Sequence, residues 1–239
     1  MMLPPPRLAP RALACALLGA ALACAPGAPD VPAPPSPREL AGGLDDATIA
    51  EIQKATDAVK ADPASAELWA ALGRAYETQD VHAGADAAFS AATKLSPGEA
   101  KLWYRAAIAA AKTGELERAL SRLDTVNELE PGYGPAWRRR GTWLLDLGRA
   151  DEARSAFERA APMLPGVPDA PIGLARAALA MDEVALALKH ARSAFDRAPT
   201  DPYVRLILGD ALRRSGQADE ALPHLEAGQG ALPSYVDPW

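Results

Sequence analysis

The chain has 239 residues, of which 49% are hydrophobic, so it can bury a sizeable core and is not a disordered tail. Alanine and leucine dominate the apolar residues and aromatic residues make up only 5%, which favours closely packed helices over strands. The formal net charge of −6 argues against a general nucleic-acid binder, which would carry a basic domain. These features predict an all-α protein that binds no nucleic acid.

Residues 1–23 have the features of an export signal. Arg7 and Arg11 precede an apolar run over residues 12–23, which is too short to span a bilayer as a helix. The run is followed directly by Cys24, and the only other cysteine of the chain lies inside the run. The mature domain would therefore contain no disulfide.

The four residues that end at Cys24, Ala-Leu-Ala-Cys, resemble the lipobox of bacterial lipoproteins. The resemblance implies that Cys24 becomes the lipidated first residue of the mature chain and anchors it in a membrane. Because Ala25 follows the cysteine, the resemblance also implies the periplasmic face of the outer membrane. Ala21 stands where the family prefers leucine, and cleavage near Ala23 or Ala25 without a lipid, giving a soluble periplasmic protein, is the alternative.

Residues 24–43 form a proline-rich segment, which is typical of a semi-rigid extended spacer and cannot build a core. We therefore expect a tether that lifts a folded domain off a membrane surface. Residues 44–61 then show apolar residues at helical spacing, which predicts an amphipathic helix. We expect residues 44–65 to form an N-terminal cap over the domain that follows.

A period of 34 residues runs through the rest of the chain. Prolines occupy one position of this period, at residues 63, 97, 131, 165, 199 and 233. Two further positions carry only small residues, namely Ala85, Ala119, Ala153, Ala187 and Ala221, and Gly73, Ala107, Gly141, Ala175 and Gly209. Two helices can approach closely only where both carry small side chains, so these columns predict the crossing points of helical hairpins.

Other positions of the period form a recognisable pattern, most completely in the first unit. That unit carries Trp69, Leu72-Gly73, Tyr76, Ala85, Phe89, Ala92 and Pro97. The pattern resembles the tetratricopeptide repeat (TPR), a 34-residue helix-turn-helix unit, although Arg140 replaces leucine in the third unit and Pro171 replaces tryptophan in the fourth. The resemblance implies a TPR solenoid over residues 66–235 with a tail at 236–239. Its five repeats would be residues 66–99, 100–133, 134–167, 168–201 and 202–235.

The turn inside each hairpin carries a recurring sequence signal. Residues that tolerate a positive φ recur where each first helix must end, at Asp80, Gly114, Gly148, Asp182 and Gly216.

TPR arrays usually finish with a polar solvating helix, and this chain lacks the residues for one. We therefore expect Tyr235, Val236 or Trp239 to pack on the fifth repeat and cover its apolar face, with a frayed terminus as the alternative.

The repeats carry few candidates for chemistry. The three histidines, His82, His190 and His224, are not accompanied by further metal ligands at useful spacing. No zinc-protease, nucleophile-elbow, phosphate-loop or dinucleotide-binding motif is present. We therefore expect no catalytic residue, no metal and no cofactor, and we do not expect an enzyme.

In TPR proteins the first helix of each hairpin lines the concave face, so the resemblance implies a partner-binding groove there. Seven residues are expected in it: Arg74, Lys101, Tyr104, Arg105, Lys112, Arg138 and Arg139. Because arginine binds carboxylates through paired hydrogen bonds, this groove predicts an acidic or carboxylate-bearing protein or peptide partner. Arg105 and Arg139 share one offset and should project side by side. The alternative is that these arginines are solvated and paired with Glu67, Glu77 and Asp146.

Two functions follow from these resemblances. The favoured one is a non-catalytic protein-interaction scaffold at the bacterial cell envelope, similar to the pilotin-like TPR lipoproteins that help assemble outer-membrane secretion and type IV pilus machinery. The alternative is a docking subunit of an envelope enzyme system, for example in cytochrome maturation or polysaccharide export. Both rest on analogy with other proteins of the fold rather than on a site in this chain.

Overall fold

The structure is a computed structural model, and it describes residues 31–40, 43–234 and 239. Within these residues it is all-helical, with no strand, as the composition predicts. The helices are α1 (Pro37–Leu40), α2 (Asp46–Ala61), α3 (Ala66–Thr78), α4 (His82–Leu95), α5 (Ala100–Lys112), α6 (Leu116–Leu129), α7 (Gly134–Asp146), α8 (Ala150–Ala160), α9 (Asp169–Ala180), α10 (Val184–Phe195), α11 (Pro202–Arg214) and α12 (Ala218–Ala227). A single 3-10 turn, Ala161–Met163, follows α8.

From α3 onwards the helices pair into five hairpins, each formed by neighbours in the chain. The pairs are α3 with α4, α5 with α6, α7 with α8, α9 with α10 and α11 with α12. The second helix of each pair also packs on the first helix of the next, so the hairpins stack into one continuous array. The five helical-hairpin repeats predicted from the 34-residue period are therefore confirmed.

The turn inside each hairpin has the backbone conformation that the sequence predicts. Asp80, Gly114, Gly148, Asp182 and Gly216 have φ values of 54°, 87°, 74°, 59° and 82°. The residue after each of them donates its N–H back across the turn, as in the 2.8 Å bond from Arg149 N to Leu144 O. This bond satisfies a carbonyl that the end of the helix would otherwise leave without a partner.

The two helices of a hairpin cross at the columns of small residues. A Cβ added to Gly73 would lie 2.8 Å from the ring of Phe89, and one added to Gly141 would lie 2.7 Å from that of Phe157. Alanine is tolerated at the equivalent Ala107, where the second helix presents Leu123 instead of phenylalanine. In the fifth hairpin a Cβ added to Gly209 would likewise lie 2.8 Å from Leu225, so the helices approach too closely at these glycines for a larger residue.

A hydrogen bond from tryptophan fastens the first three repeats to the turns before them. The indole Nε1 donates to a proline carbonyl six residues earlier, over 2.9 Å from Trp69 to Pro63, 2.8 Å from Trp103 to Pro97 and 3.0 Å from Trp137 to Pro131. The proline ends the preceding helix, so its carbonyl is available as an acceptor. These bonds set the angle at which each first helix leaves the turn.

The N-terminal part of the described chain packs on the first repeat. Helix α2 begins at the capping residue Asp45, whose side chain accepts from Thr48 N, and it packs on α3 through the buried Ile52 and Val59. Its position covers the face of the first repeat that has no preceding hairpin. In the part of the chain that the structure describes, no helix is long and apolar enough to cross a membrane.

Residues 31–40 pack on the first repeat, whereas the sequence predicts a free spacer over residues 24–43. Val31 packs against the core of the first repeat, Pro37 is buried, and the Tyr76 hydroxyl donates a 3.0 Å hydrogen bond to the carbonyl of Pro35. This part of the proline-rich segment therefore belongs to the folded domain, because an extended chain can still pack against a preformed apolar face. Residues 1–30, with the predicted signal and Cys24, lie outside the described residues.

The buried ring of Phe157 packs between the third and fourth repeats, against one glycine of each. Phe157 in α8 lies against Gly141 of its own hairpin and against Gly173 of α9, where an added Cβ would lie 2.3 Å from the ring. Only 1% of Phe157 is exposed, so the ring has little room to move away. The junction between the third and fourth repeats therefore depends on the absence of a side chain at Gly173.

Replacing Gly173 by alanine tests this junction. Helix propensity alone would stabilise α9 by about 1 kcal/mol, but the clash with Phe157 should reverse the sign and lower the free energy of unfolding by about 1–3 kcal/mol. Gly132→Ala is the control, because a Cβ at Gly132 meets nothing within 4 Å. Urea denaturation followed by circular dichroism measures both. A Gly173→Ala variant as stable as the wild type would contradict this packing.

Candidate partner-binding groove

The first helices of successive repeats lie along the same side of the array. Helices α7 and α9 contact each other directly, as do α9 and α11, whereas the second helices lie behind them. We call the surface formed by α3, α5 and α7 the groove face. All seven residues expected in the groove belong to these three helices, and the structure places them in three different environments.

A cavity of about 480 Å³ opens between α3 and α5. Its basic lining residues are Arg74, Lys101 and Arg105, and its acidic ones are Glu67 and Glu99. Arg74 and Lys101 are exposed, and neither forms an ion pair within the described residues. These two cations are therefore available to a ligand that enters the cavity, and we call the site the basic cavity.

Arg105 is in the basic cavity but is already paired. Its Nη1 lies 2.7 Å from Oε2 of Glu77 in α3, and about a quarter of its side chain is exposed. The interpretation that the arginines pair with nearby acids therefore holds for Arg105. The same ion pair fixes the guanidinium at the wall of the cavity, so a ligand would meet a preoriented group.

Arg138 lies outside the groove, contrary to expectation. Its side chain is 1% exposed, and its Nη1 makes a 2.8 Å ion pair with Oδ2 of Asp169 in the first turn of α9. The carboxylate is favourably placed at the positive end of that helix. Arg138 therefore fastens the third repeat to the fourth and is not accessible to a partner.

Tyr104 and Arg139 contact each other across the junction of the second and third repeats. Arg139 Nε donates a 2.7 Å hydrogen bond to the Tyr104 hydroxyl, and its guanidinium carbon lies 5.6 Å from the centre of the ring. Tyr104 is fully buried. Arg105 and Arg139 do share an offset, but each reaches back to the preceding first helix, so they do not form one paired site.

Lys112 is exposed at a second, smaller cavity. This cavity has a volume of about 170 Å³, and Lys112 lines it together with Arg139 and Asp146. Asp146 also lies 4.0 Å from Arg176 of the next repeat. Both cavities of the groove face thus combine basic and acidic side chains, with one more basic than acidic residue at each.

Two aromatic residues of this region were not expected in the groove. Trp239 stacks on Tyr133, with ring centres 3.6 Å apart and planes at 9°, and it lies edge-on to Tyr104 at 5.7 Å. The expectation that Trp239 covers the fifth repeat is therefore wrong, because its indole packs instead on Tyr133 and Tyr104 between the second and third repeats. Tyr235 and Val236 lie outside the described residues. No spacing in the sequence signals this contact.

The three histidines are partly buried. His224 lies edge-on to Phe195, with ring centres 5.0 Å apart, and burial lowers the pKa values of both His224 and His190. Among the described residues, no group of three or more histidine, cysteine, aspartate or glutamate side chains could hold a metal ion.

A comparison with protein families assigns the repeats. A model described as "Tetratricopeptide repeat" matches residues 104–168 and 172–236, together more than half of the chain. The chain belongs to the tetratricopeptide repeat family. The two matched ranges each cover about two TPR units and begin in the second and fourth repeats. A search of curated protein sequences gives no match.

Solved TPR structures share the fold at low sequence identity. MamA residues 41 to the end, from Desulfovibrio magneticus RS-1, is 21% identical, with a TM-score of 0.63 over 70% of this chain and 97% of its own. A TPR protein from Parabacteroides merdae ATCC 43184 is 18% identical, with a TM-score of 0.66 over 75% of this chain and 71% of its own. YrrB, described as a TPR protein with an unusual peptide-binding site, is 15% identical, with a TM-score of 0.60 over 74% and 91%. These similarities establish the fold.

Removing the guanidinium of Arg138 tests its structural role. Arg138→Ala leaves Asp169 partly buried without its partner and should lower the free energy of unfolding by about 3 kcal/mol. The control is Arg192→Ala, because Arg192 and Glu220 form a half-exposed pair at 3.4 Å whose loss should cost less than about 1 kcal/mol. Urea denaturation gives the change in unfolding free energy of each variant, and the comparison requires that the variants and the wild type have equal m-values. Equal losses of unfolding free energy in the two variants would show that the Arg138–Asp169 ion pair does not hold the third and fourth repeats together.

Proposed function

We propose that this TPR protein is a non-catalytic scaffold that holds an extended segment of a partner protein on its groove face, with an acidic side chain of that segment in the basic cavity. The observation that carries the proposal is the pair of exposed cations, Arg74 and Lys101, at a cavity between two first helices. YrrB, a TPR protein of the same fold, is described as having an unusual peptide-binding site. That site supports the proposal only by analogy.

The charges of the cavity favour one acidic group rather than a polyacidic stretch. Arg74 and Lys101 attract a carboxylate, and Arg105 presents a guanidinium held by Glu77. Glu67 and Glu99 line the same cavity and would repel further acidic side chains. A single aspartate or glutamate within an otherwise neutral segment therefore fits best. Because the whole chain carries −6, a local basic site would also steer an acidic segment to this face.

Charge reversal at the basic cavity tests the proposal. A random 12-residue peptide display library is selected on the full-length wild type, and we expect enrichment of peptides with one or two acidic residues. The best of these should bind the Arg74→Glu/Lys101→Glu variant at least about 100-fold more weakly, because two attractions become repulsions. Isothermal calorimetry at low salt, where screening is weakest, measures the affinities.

The matched control is Lys189→Glu/Arg192→Glu, which makes the same change in net charge on exposed positions of the second helix α10. Its affinity for the selected peptides should stay within about twofold of the wild type, because both substitutions lie away from the groove face. Selection of peptides without acidic enrichment, or equal losses in the two double variants, would refute binding at the basic cavity.

We propose further that the scaffold is exported and anchored at a bacterial envelope through a lipid on Cys24. Support comes from the sequence: two arginines, a short apolar run and a cysteine stand in the order of a lipoprotein signal. An anchored TPR scaffold would serve as a pilotin-like assembly factor or as the docking subunit of an envelope enzyme system. The partner bound at the groove face in cells distinguishes these two roles.

Replacing Cys24 by serine tests the anchor. The wild type should incorporate radiolabelled palmitate and sediment with membranes, whereas Cys24→Ser should do neither, because serine cannot accept the thioether-linked lipid. Membrane fractionation and autoradiography measure the two properties. Recovery of the wild type as an unlabelled protein in the supernatant would overturn the proposed anchor and leave the groove proposal untouched.

A further inference from the structure

Trp239 packs on two tyrosine rings at the junction of the second and third repeats. Its indole stacks face to face on Tyr133 at 3.6 Å and meets Tyr104 edge-on at 5.7 Å. Tyr133 and Tyr104 are themselves perpendicular, with ring centres 5.2 Å apart, and Arg139 donates a hydrogen bond to the Tyr104 hydroxyl. We call Tyr104, Tyr133 and Arg139 the aromatic cradle.

The aromatic cradle belongs to the groove face. Tyr104 lies in α5 and Arg139 in α7, while Tyr133 directly precedes α7. The cradle is therefore at the junction of the second and third repeats, next to the junction that holds the basic cavity. Further along the array, Ser234 lines a small cavity together with Asp169 and Tyr203, where α9 and α11 begin. Trp239 and Ser234, which both follow α12 in the chain, thus lie beside first helices of the array.

The geometry of the cradle selects flat aromatic side chains. Tyr133 offers a ring face for stacking, and the buried Tyr104 presents its ring perpendicular to the bound indole. Stacked and edge-to-face pairs both depend on the charge distribution of an aromatic ring, which an aliphatic side chain lacks. Trp239 is only partly buried, so its contacts can exchange with those of another chain.

We propose that the aromatic cradle is the second anchor point of the groove face, that it takes a tryptophan or another planar aromatic side chain of the partner segment, and that Trp239 is the internal occupant which this side chain displaces. The proposal deepens the proposed function and rests on the groove face being the binding surface. The partner segment would then carry an acidic residue for the basic cavity and an aromatic residue for the cradle. Trp239 lowers the apparent affinity for the partner, because only molecules with an open cradle can bind it.

The test uses a peptide copy of the internal occupant and the full-length protein. The probe is a peptide with the sequence of residues 231–239 in which asparagine replaces Asp237, Ala-Leu-Pro-Ser-Tyr-Val-Asn-Pro-Trp, amidated at its end and labelled with an uncharged fluorophore, so that it carries no carboxylate for the basic cavity. A second probe has alanine in place of tryptophan. Fluorescence anisotropy measures the affinity of each probe for the wild type and for Trp239→Ala, whose own cradle is vacant.

We expect the tryptophan probe to bind Trp239→Ala about tenfold more tightly than the wild type, as follows when the cradle of the wild type is open in about a tenth of the molecules. The alanine probe should bind Trp239→Ala at least about tenfold more weakly than the tryptophan probe. Tyr133→Ala in the Trp239→Ala background should abolish the difference between the probes. Tyr133 lies in a turn and is only partly buried, so this substitution should preserve the helical circular dichroism that serves as the folding control.

Three outcomes would overturn the proposal: equal affinity of the tryptophan probe for the wild type and Trp239→Ala, equal affinity of the two probes for Trp239→Ala, or a difference between the probes that survives Tyr133→Ala. A wild type that sediments as a dimer and becomes monomeric in Trp239→Ala would also overturn it, because Trp239 would then bind in a second copy. Arg74→Glu/Lys101→Glu separates this proposal from the previous one. Reversal at the basic cavity should leave binding of the tryptophan probe unchanged even if the acidic-segment proposal fails.

Discussion

The close crossing of the two helices in each hairpin is the constraint on which the rest of the structure depends. Gly73 and Gly141 let the rings of Phe89 and Phe157 pack directly against the backbone of the first helix. This contact brings the hairpin together, and the same rings then form the surface on which the next first helix packs, as Gly173 does on Phe157. The second helix of each hairpin packs on the first helix of the next, so the first helices follow one another along the array and form a groove face.

Ion pairs between repeats account for many of the arginines. On the second helices, Asp86 pairs with Arg118 and Arg122, and Glu183 pairs with Arg154. On the first helices, Arg138 and Arg105 pair with acids of neighbouring repeats. Most such pairs are partly exposed and contribute little free energy individually, yet each one fixes a guanidinium in place. Among the seven candidate groove residues, Arg74, Lys101 and Lys112 are exposed and form no ion pair within the described residues.

With the two proposed sites, the groove face would combine two kinds of recognition at neighbouring junctions. The basic cavity offers charged groups beside apolar side chains such as Phe89 and Leu102, whereas the aromatic cradle offers ring faces and one arginine. A segment that satisfies both would be chosen by the order and spacing of an acidic and an aromatic residue. The occupation of the cradle by Trp239 shows how an aromatic side chain fits there. Such a self-occupied site discriminates against weak ligands, because a ligand must replace an existing contact.

The sequence by itself determined the all-helical fold, the five hairpins, their turns and their crossing points. These features could be predicted because they are local and recur with the 34-residue period, so a steric requirement appears as a column of Gly, Ala or Asp. The seven candidate groove residues were also assigned to the correct helices, since the offset of a residue on a helix follows from its position in the repeat.

Only the tertiary structure decided which of those residues face a ligand. Arg138 is buried because Asp169 of the next repeat reaches it, and Arg105 is paired because Glu77 of the preceding one does. The packing of residues 31–40 on the first repeat and of Trp239 on Tyr133 joins segments far apart in the chain. No repeat encodes such contacts. They depend on complementary shape and charge between surfaces that exist only after the hairpins have stacked.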